Sequence, residues 1–224
     1  MAVERAYWRG AAEDEAMQDE HGFIWLAMLD TIGEDLAGRK VLDAGCNRGG
    51  FLRLLVDTCG IGHGFGYDPA SAAISDARRL AGARPLTFEA ADTVPAEWAA
   101  FDIAFSHEVL YLLRDLPSHA EAMAASLAPG AAYYAVMGMH AGSRLMSDWH
   151  RRMADELDLP PLYSLDEVVE AFEASGFEAS VARLRFGFVP VSAHRQDRDL
   201  GYGLMDWVSY YSEDKALLRF AAPS

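Results

Sequence analysis

Apolar and polar positions along the chain fall into two alternating rhythms from residue 39 onward. Short apolar runs of strand length are separated by stretches in which apolar residues recur every three or four positions, the pattern of strands alternating with amphipathic helices. The predicted strands cover residues 40–44, 63–67, 85–90, 101–106, 132–137, 178–186 and 216–221. The predicted helices cover 50–59, 71–81, 118–127, 144–157, the stretch from 165 to Gly176, and 204–211, with a short helical turn at 95–99. Ahead of them, residues 21–36 carry Phe23, Ile24, Leu26, Ala27, Leu29, Ile32 and Leu36 near helical period, and Gly38 reads as that helix's stop. Pro129 and Gly130 read as another stop. Ser164 stands three positions before Glu167, a near match to the capping box that opens helices. Two segments, 138–163 and 187–214, interrupt the alternation.

This order predicts an α/β fold: a seven-stranded, mostly parallel sheet with helices on both faces. The long return before the last strand suits an antiparallel entry. The predicted organisation is a helical cap at 1–38, then one domain at 39–224 with insertions at about 138–163 and 187–214.

Charge narrows the range of partners. The chain holds 34 acidic and 19 basic residues, a net charge of −15. Such a balance repels phosphate backbones and acidic membrane surfaces, so no nucleic-acid or membrane partner is expected. The same acidity also serves plain solubility. No run of apolar residues is long enough to span a bilayer. Residues 1–22 carry five acids before position 20 and no apolar core, unlike a secretory signal. The two cysteines, Cys46 and Cys59, show neither metal spacing nor a disulfide framework. A cytoplasmic protein without a bound metal is the expectation.

The chemistry concentrates at strand ends. Residues 41–50 read Val-Leu-Asp-Ala-Gly-Cys-Asn-Arg-Gly-Gly. An apolar strand runs into Asp43, then a glycine-bearing turn, then a helix. That turn lies at the carboxyl end of the first strand, where open α/β sheets bind ligands, and its glycines permit close backbone approach. A dinucleotide fingerprint would need glycine at position 47, which is Asn47; a Walker loop would need Lys after Gly50, where Phe51 stands. Phosphate cradling is disfavoured on both counts. A second strand ends in Asp68-Pro69, 25 positions after Asp43. A carboxylate there can accept from two ribose hydroxyls; Asp68 could equally cap the following helix. A third strand ends at Asp92-Thr93, and a fourth at Ser106-His107.

The run Asp43-Ala44-Gly45-Cys46-Asn47-Arg48-Gly49 resembles the acid-and-glycine signature of class I, Rossmann-like S-adenosylmethionine-dependent methyltransferases of the small-molecule type. Asn47 replaces the middle glycine, and asparagine is one of the few other residues that enter the left-handed region readily. Leu127-Ala128-Pro129-Gly130 and the strand from Lys215 are similar to later family motifs, so the resemblance covers about residues 39–137 and 164–222. It implies S-adenosyl-L-methionine as cofactor and S-adenosyl-L-homocysteine as product. Asp43, Gly45, Cys46, Asn47 and Gly49 would hold the amino-acid end, Asp68 and Pro69 the ribose, Asp92 and Thr93 the adenine, and Ser106 and His107 the sulfonium. The N-terminal helix would act as a lid.

Methyl transfer from a sulfonium mainly requires positioning and exclusion of water. A base is needed only for an acceptor with a tightly held proton, and imidazole titrates in the right range. His107 is the first candidate and His140, after the fifth strand, the second; each could instead be a loop histidine bonded to backbone. Aromatics outside the core, including Tyr7, Trp8, Trp25, Trp149, Tyr202, Trp207, Tyr210 and Tyr211, could wall an acceptor pocket, pack the cap, or form a homodimer contact. The expected function is methylation of an O, N or C atom of a small-molecule acceptor. A tRNA or protein methyltransferase would need a basic groove lined by Arg48, Arg114, Arg144, Arg151 and Arg152. A non-catalytic cofactor-binding module would show a blocked acceptor cavity.

Overall fold

A computed structural model describes residues 11–189 and 201–223, with side chains from residue 21 onward. The chain runs α1 (Ala11–Ile32), β1 (Lys40–Ala44), α2 (Gly50–Cys59), β2 (His63–Asp68), α3 (Ser71–Ala81), β3 (Leu86–Ala90) and β4 (Phe101–His107). It continues with α4 (Leu116–Ser126), β5 (Leu127–Met137), α5 (Arg144–Leu157), α6 (Leu165–Ala174), β6 (Glu178–Arg183), α7 (Leu204–Ser209) and β7 (Ala216–Ala221). None of the described helices is long and apolar enough to cross a membrane.

The seven strands form one sheet in the order β3-β2-β1-β4-β5-β7-β6. β1 pairs parallel with both β2 and β4. The chain therefore leaves β1 toward one edge and returns to its other side, making the β1/β4 boundary the topological switch point where ligands bind. β7 is antiparallel to β5 and β6, as the long return suggested.

Strand alternation sends β5 side chains to two cores. Ala132, Tyr134 and Val136 join Ile24 and Met28 of α1, Phe51, Leu52 and Leu55 of α2, and Trp207, Tyr210 and Tyr211. Tyr133, Ala135 and Met137 face Leu116, Ala120 and Met123 of α4 and Val168 and Phe172 of α6. Helices thus cover both faces. α6 opens on a capping box, with Glu167 N donating to Ser164 Oγ at 3.2 Å and Ser164 N donating to Glu167 Oε2 at 2.7 Å.

Several boundaries differ from the periodic pattern. α1 begins ten residues earlier than residue 21 and stops at Ile32, where Gly33 takes φ +64°. Leu36 keeps the apolar spacing because it is buried as a loop residue. β5 starts at Leu127 rather than 132: Pro129 and Gly130 form an irregularity within the strand, whose register against β4 shifts between Phe101 and Ile103. β6 stops at Arg183 instead of 186. The last excursion's helix is shorter than expected and passes into a wide π-type turn at Tyr210–Asp214.

Candidate active site

The turn after β1 is fixed from three sides. Gly45 N and Cys46 N both donate to Tyr67 O, at 2.9 and 3.0 Å, which ties the turn to the end of β2. Gly45 has φ +73°, and a Cβ there would stand 2.5 Å from Val109 Cγ2, just beyond β4. Asn47 takes φ +45° and its N–H donates to Asp68 Oδ2 at 2.9 Å. Gly49, φ +69°, lies against Phe88 of β3 with no room for a side chain. Close packing and left-handed backbone together demand these residue types. The Oδ1 of Asn47 is buried and has no hydrogen-bond partner among the described residues.

Two acids lie beside the turn. Asp43 is 4% exposed, and burial, then the charge of Asp68, push its carboxyl well above the usual range. The same burial, with Asp43 and Asp68, raises the Cys46 thiol. Asp68 reaches both ways: Oδ1 accepts from Ala70 N at 2.9 Å at the start of α3, and Oδ2 accepts from the turn. Asp68 therefore braces the turn and the entry to α3 at once, because each carboxylate oxygen can accept twice. Pro69 is exposed beside it. Ala91 N donates to Asp68 O at 3.1 Å, so β3 delivers the exposed Asp92 and Thr93 to the same rim. The structure thus gathers Asp43, the 45–49 turn, Asp68 and Asp92 along one edge of the sheet.

β4 separates its two predicted residues. Ser106 is fully buried on the α4 side, its hydroxyl 2.6 Å from Tyr133 Oη, which in turn lies 3.2 Å from His119 Nε2. Its side chain faces away from the rim because neighbouring strand residues alternate. His107 points to the other side, against α1. Its ring meets that of His21 edge-on at 4.6 Å and Trp25 at 6.4 Å. The Nε2 of His107 is buried and without a partner among the described residues. Burial, then His21 and Lys215, hold His107 well below its ordinary pKa, and burial with Lys215 lowers His21 to about 4. Both rings are neutral at physiological pH.

His140 is held differently. Its Nε2 lies 2.8 Å from Asp214 O, so that nitrogen carries the proton, and Gly142 N donates to its Nδ1 at 3.2 Å. Both nitrogens are engaged by backbone, the arrangement expected of a loop-bracing histidine.

Several residues around His107 escaped the sequence reading. Lys215, 2% exposed, forms an ion pair with Glu108, and Lys215 Nζ lies 4.9 Å from the Tyr210 ring centre. Glu108 sits at φ +58° and accepts from Gly138 N at 3.1 Å. Gly138 lies so close to the Tyr210 hydroxyl that a side chain would not fit. The chain has two lysines, Lys40 and Lys215, and a lysine directly preceding an apolar strand was the available signal, since a buried lysine must be paired. Tyr7 and Trp8 lie outside the described residues, as does the 190–200 part of the second insertion. The arginines are scattered among acids: Arg48 pairs with Asp76, Arg114 with Asp158, Arg144 with Asp206 and Arg151 with Asp148.

Comparison with known proteins bears on this rim. Residues 15–180 match the family profile described as a methyltransferase domain. No curated protein matches by sequence. Among solved structures, the chain is similar to one from the complex of the Haloferax volcanii Trm112 methyltransferase activator with a methyltransferase, at 23% identity, TM-score 0.79, covering 96% of this chain and 95% of that one. It also resembles Haemonchus contortus phosphoethanolamine N-methyltransferase 2, solved with S-adenosyl-L-methionine, at 16% identity and TM-score 0.71, covering 100% of this chain and 61% of that one. A third is Streptomyces coelicolor geranyl diphosphate C-methyltransferase, solved with S-adenosyl-L-homocysteine, at 14% identity and TM-score 0.65, covering 100% of this chain and 89% of that one. With its strand order, its glycine turn and a profile match over most of its length, the chain belongs to the methyltransferase-domain family, in the class I Rossmann-like group that uses S-adenosylmethionine.

Proposed function

We propose that the protein is a cytoplasmic enzyme that methylates an O, N or C atom of a small-molecule acceptor, with S-adenosyl-L-methionine lying across the ends of β1, β2 and β4. The observation that carries this reading is the joined acid and turn: one carboxylate, Asp68, accepts from Asn47 N at 2.9 Å and from Ala70 N at 2.9 Å, tying the glycine turn to the end of β2. The chemistry of the donor set fits the cofactor. Asp43 is buried next to a second carboxylate, which favours a ligand carrying positive charge, and Asn47 Oδ1 offers a buried acceptor. When bound, the cofactor supplies a methyl group already activated by the sulfonium.

The protein's own residues do the rest. Asp43 and the 45–49 turn receive the amino-acid end, Asp68 and the neighbouring Pro69 the ribose, and Asp92 with Thr93 the adenine. The strand end at Ser106 contributes backbone, its hydroxyl being committed to Tyr133. His107, held neutral and made a weaker base than free imidazole by its burial, offers Nε2 to the acceptor's proton in the role of a general base. His140 braces the turn before β7 instead. α1 excludes water from the mouth, and the cap at 1–38 with the insertions at 138–163 and 187–214 carry acceptor choice.

A release assay for S-adenosyl-L-homocysteine across a metabolite panel tests the reading. His107→Ala should lose turnover by about 100-fold or more, the usual range for a missing base, with cofactor affinity kept. Full activity in that variant would remove His107 as base.

One comparison favours a second reading. The Haloferax volcanii structure contains a methyltransferase activator, and in this second reading the present chain too works with an activator protein. Full turnover by the purified chain alone would remove it.

A further inference from the structure

Two buried polar atoms lie on neighbouring rings where α1 covers the end of β4. Trp25, on α1, has an indole N–H that is buried and unpartnered among the described residues, and so is His107 Nε2 on β4. Their ring centres are 6.4 Å apart at 81°, and Trp25 also packs at 5.7 Å on Phe51 of α2. Each unpaired buried group costs free energy that a ligand reaching both would restore. The two needs differ in kind. Indole nitrogen only donates, whereas one nitrogen of a neutral imidazole accepts. A hydroxyl can accept from the first and donate to the second through a single atom, and it does so uncharged, whereas an aliphatic amine would arrive as an ammonium with no lone pair to accept.

The surroundings restrict the rest of such a ligand. The neighbouring rings are those of His21, Trp25, Phe51 and His107. Of the cations on this side, Lys215 is paired with Glu108 and Arg48 with Asp76, so neither is offered to an anionic group. Burying a charge without a partner there would be unfavourable.

We propose that Trp25 and His107 form a two-point clamp for one hydroxyl on an uncharged, ring-bearing acceptor, which makes Trp25 of α1 a specificity residue of the methyl-transfer site. This rests on the cofactor reading above.

The test uses ¹⁹F NMR titrations of the full-length protein saturated with S-adenosyl-L-homocysteine, with 4-fluorophenol, fluorobenzene and 4-fluorobenzoate as probes. We expect 4-fluorophenol to bind about 10-fold or more tightly than either other probe, and Trp25→Phe to erase its advantage over fluorobenzene while leaving the S-adenosyl-L-homocysteine dissociation constant unchanged. The wild-type probe comparison stands even if that variant folds poorly. Equal binding of the phenol and fluorobenzene, or preference for the benzoate, would overturn the clamp. Weakened S-adenosyl-L-homocysteine binding in Trp25→Phe would also overturn it, by assigning the indole N–H to the cofactor. Failure of the wild-type protein to bind S-adenosyl-L-homocysteine at all would instead strike the cofactor reading, and the clamp with it.

Discussion

Asp43 lies under the glycine turn, where burial, and then the charge of Asp68, raise its pKa. A raised value means that Asp43 keeps its proton at pH values where an ordinary aspartate is ionised. A cation bound alongside favours the ionised form, so binding should release a proton. Affinity for S-adenosyl-L-methionine should therefore rise with pH until Asp43 is ionised in the free protein. Calorimetry in buffers of different ionisation enthalpy counts the proton, and Asp43→Asn should remove both the release and the pH dependence. A pH-independent affinity in the wild-type protein would count against Asp43 as the cation's neighbour. The acids and the turn were legible in the sequence because each lies within a few residues of a strand end. The direction of a side chain was less so: Ser106 and His107 are adjacent, yet the pleat sends one into the core and the other to the mouth.

At the scale of elements, the turn between β1 and α2 works because three strands press on it. Gly45→Ala would force a Cβ to within 2.5 Å of Val109 Cγ2 at φ +73°. We expect it to cost about 1–3 kcal/mol in stability, as strained left-handed positions do, and to lower cofactor affinity by displacing the turn. Urea unfolding and calorimetry would measure the two effects, and wild-type values for both would show that the turn has slack. Element order was readable from periodicity, and β1, α2, α3, α5 and β7 matched the expected bounds. The misplaced ends have local causes. Gly33 stops α1 although the apolar spacing continues to Leu36. Pro129 and Gly130 are absorbed into β5 because β4 pairs across them.

At the scale of the molecule, the buried histidines make the fold sensitive to acid. His119 lies between α4 and the sheet, 3.2 Å from Tyr133 Oη, with its pKa lowered by burial to about 4. An unfolded histidine titrates near 6.5, so between pH 6.5 and about 4 the unfolded chain binds the additional proton. Stability is complete above 6.5 and falls as pH drops through that window, by roughly 3 kcal/mol for such a shift. Urea denaturation at pH 7, 5 and 4 should show this fall, and His119→Asn should remove the His119 share of it, leaving that of His21 and His107. An unchanged slope in that variant would place the sensitivity elsewhere. The mouth was legible only in part: His107, Trp25 and Tyr210 were candidates from the sequence, whereas His21, Glu108 and Lys215 were not. His21, Trp25, His107, Glu108, Tyr210 and Lys215 come from α1, the end of β4 and the last excursion, and only the sheet order brings them together. Periodicity gives each element its inward face but does not say which distant elements share it.

The most direct measurement is a calorimetric titration of the wild-type protein and of Asp68→Ala with S-adenosyl-L-methionine, S-adenosyl-L-homocysteine, NAD and ATP. We predict saturable binding of the two sulfur nucleosides to the wild-type protein, weakened about 10-fold or more by Asp68→Ala, a loss of about 1.4 kcal/mol. Saturation by NAD or ATP with no binding of the sulfur nucleosides would contradict the assignment of the rim, and an unchanged dissociation constant in Asp68→Ala would contradict the ribose role of Asp68.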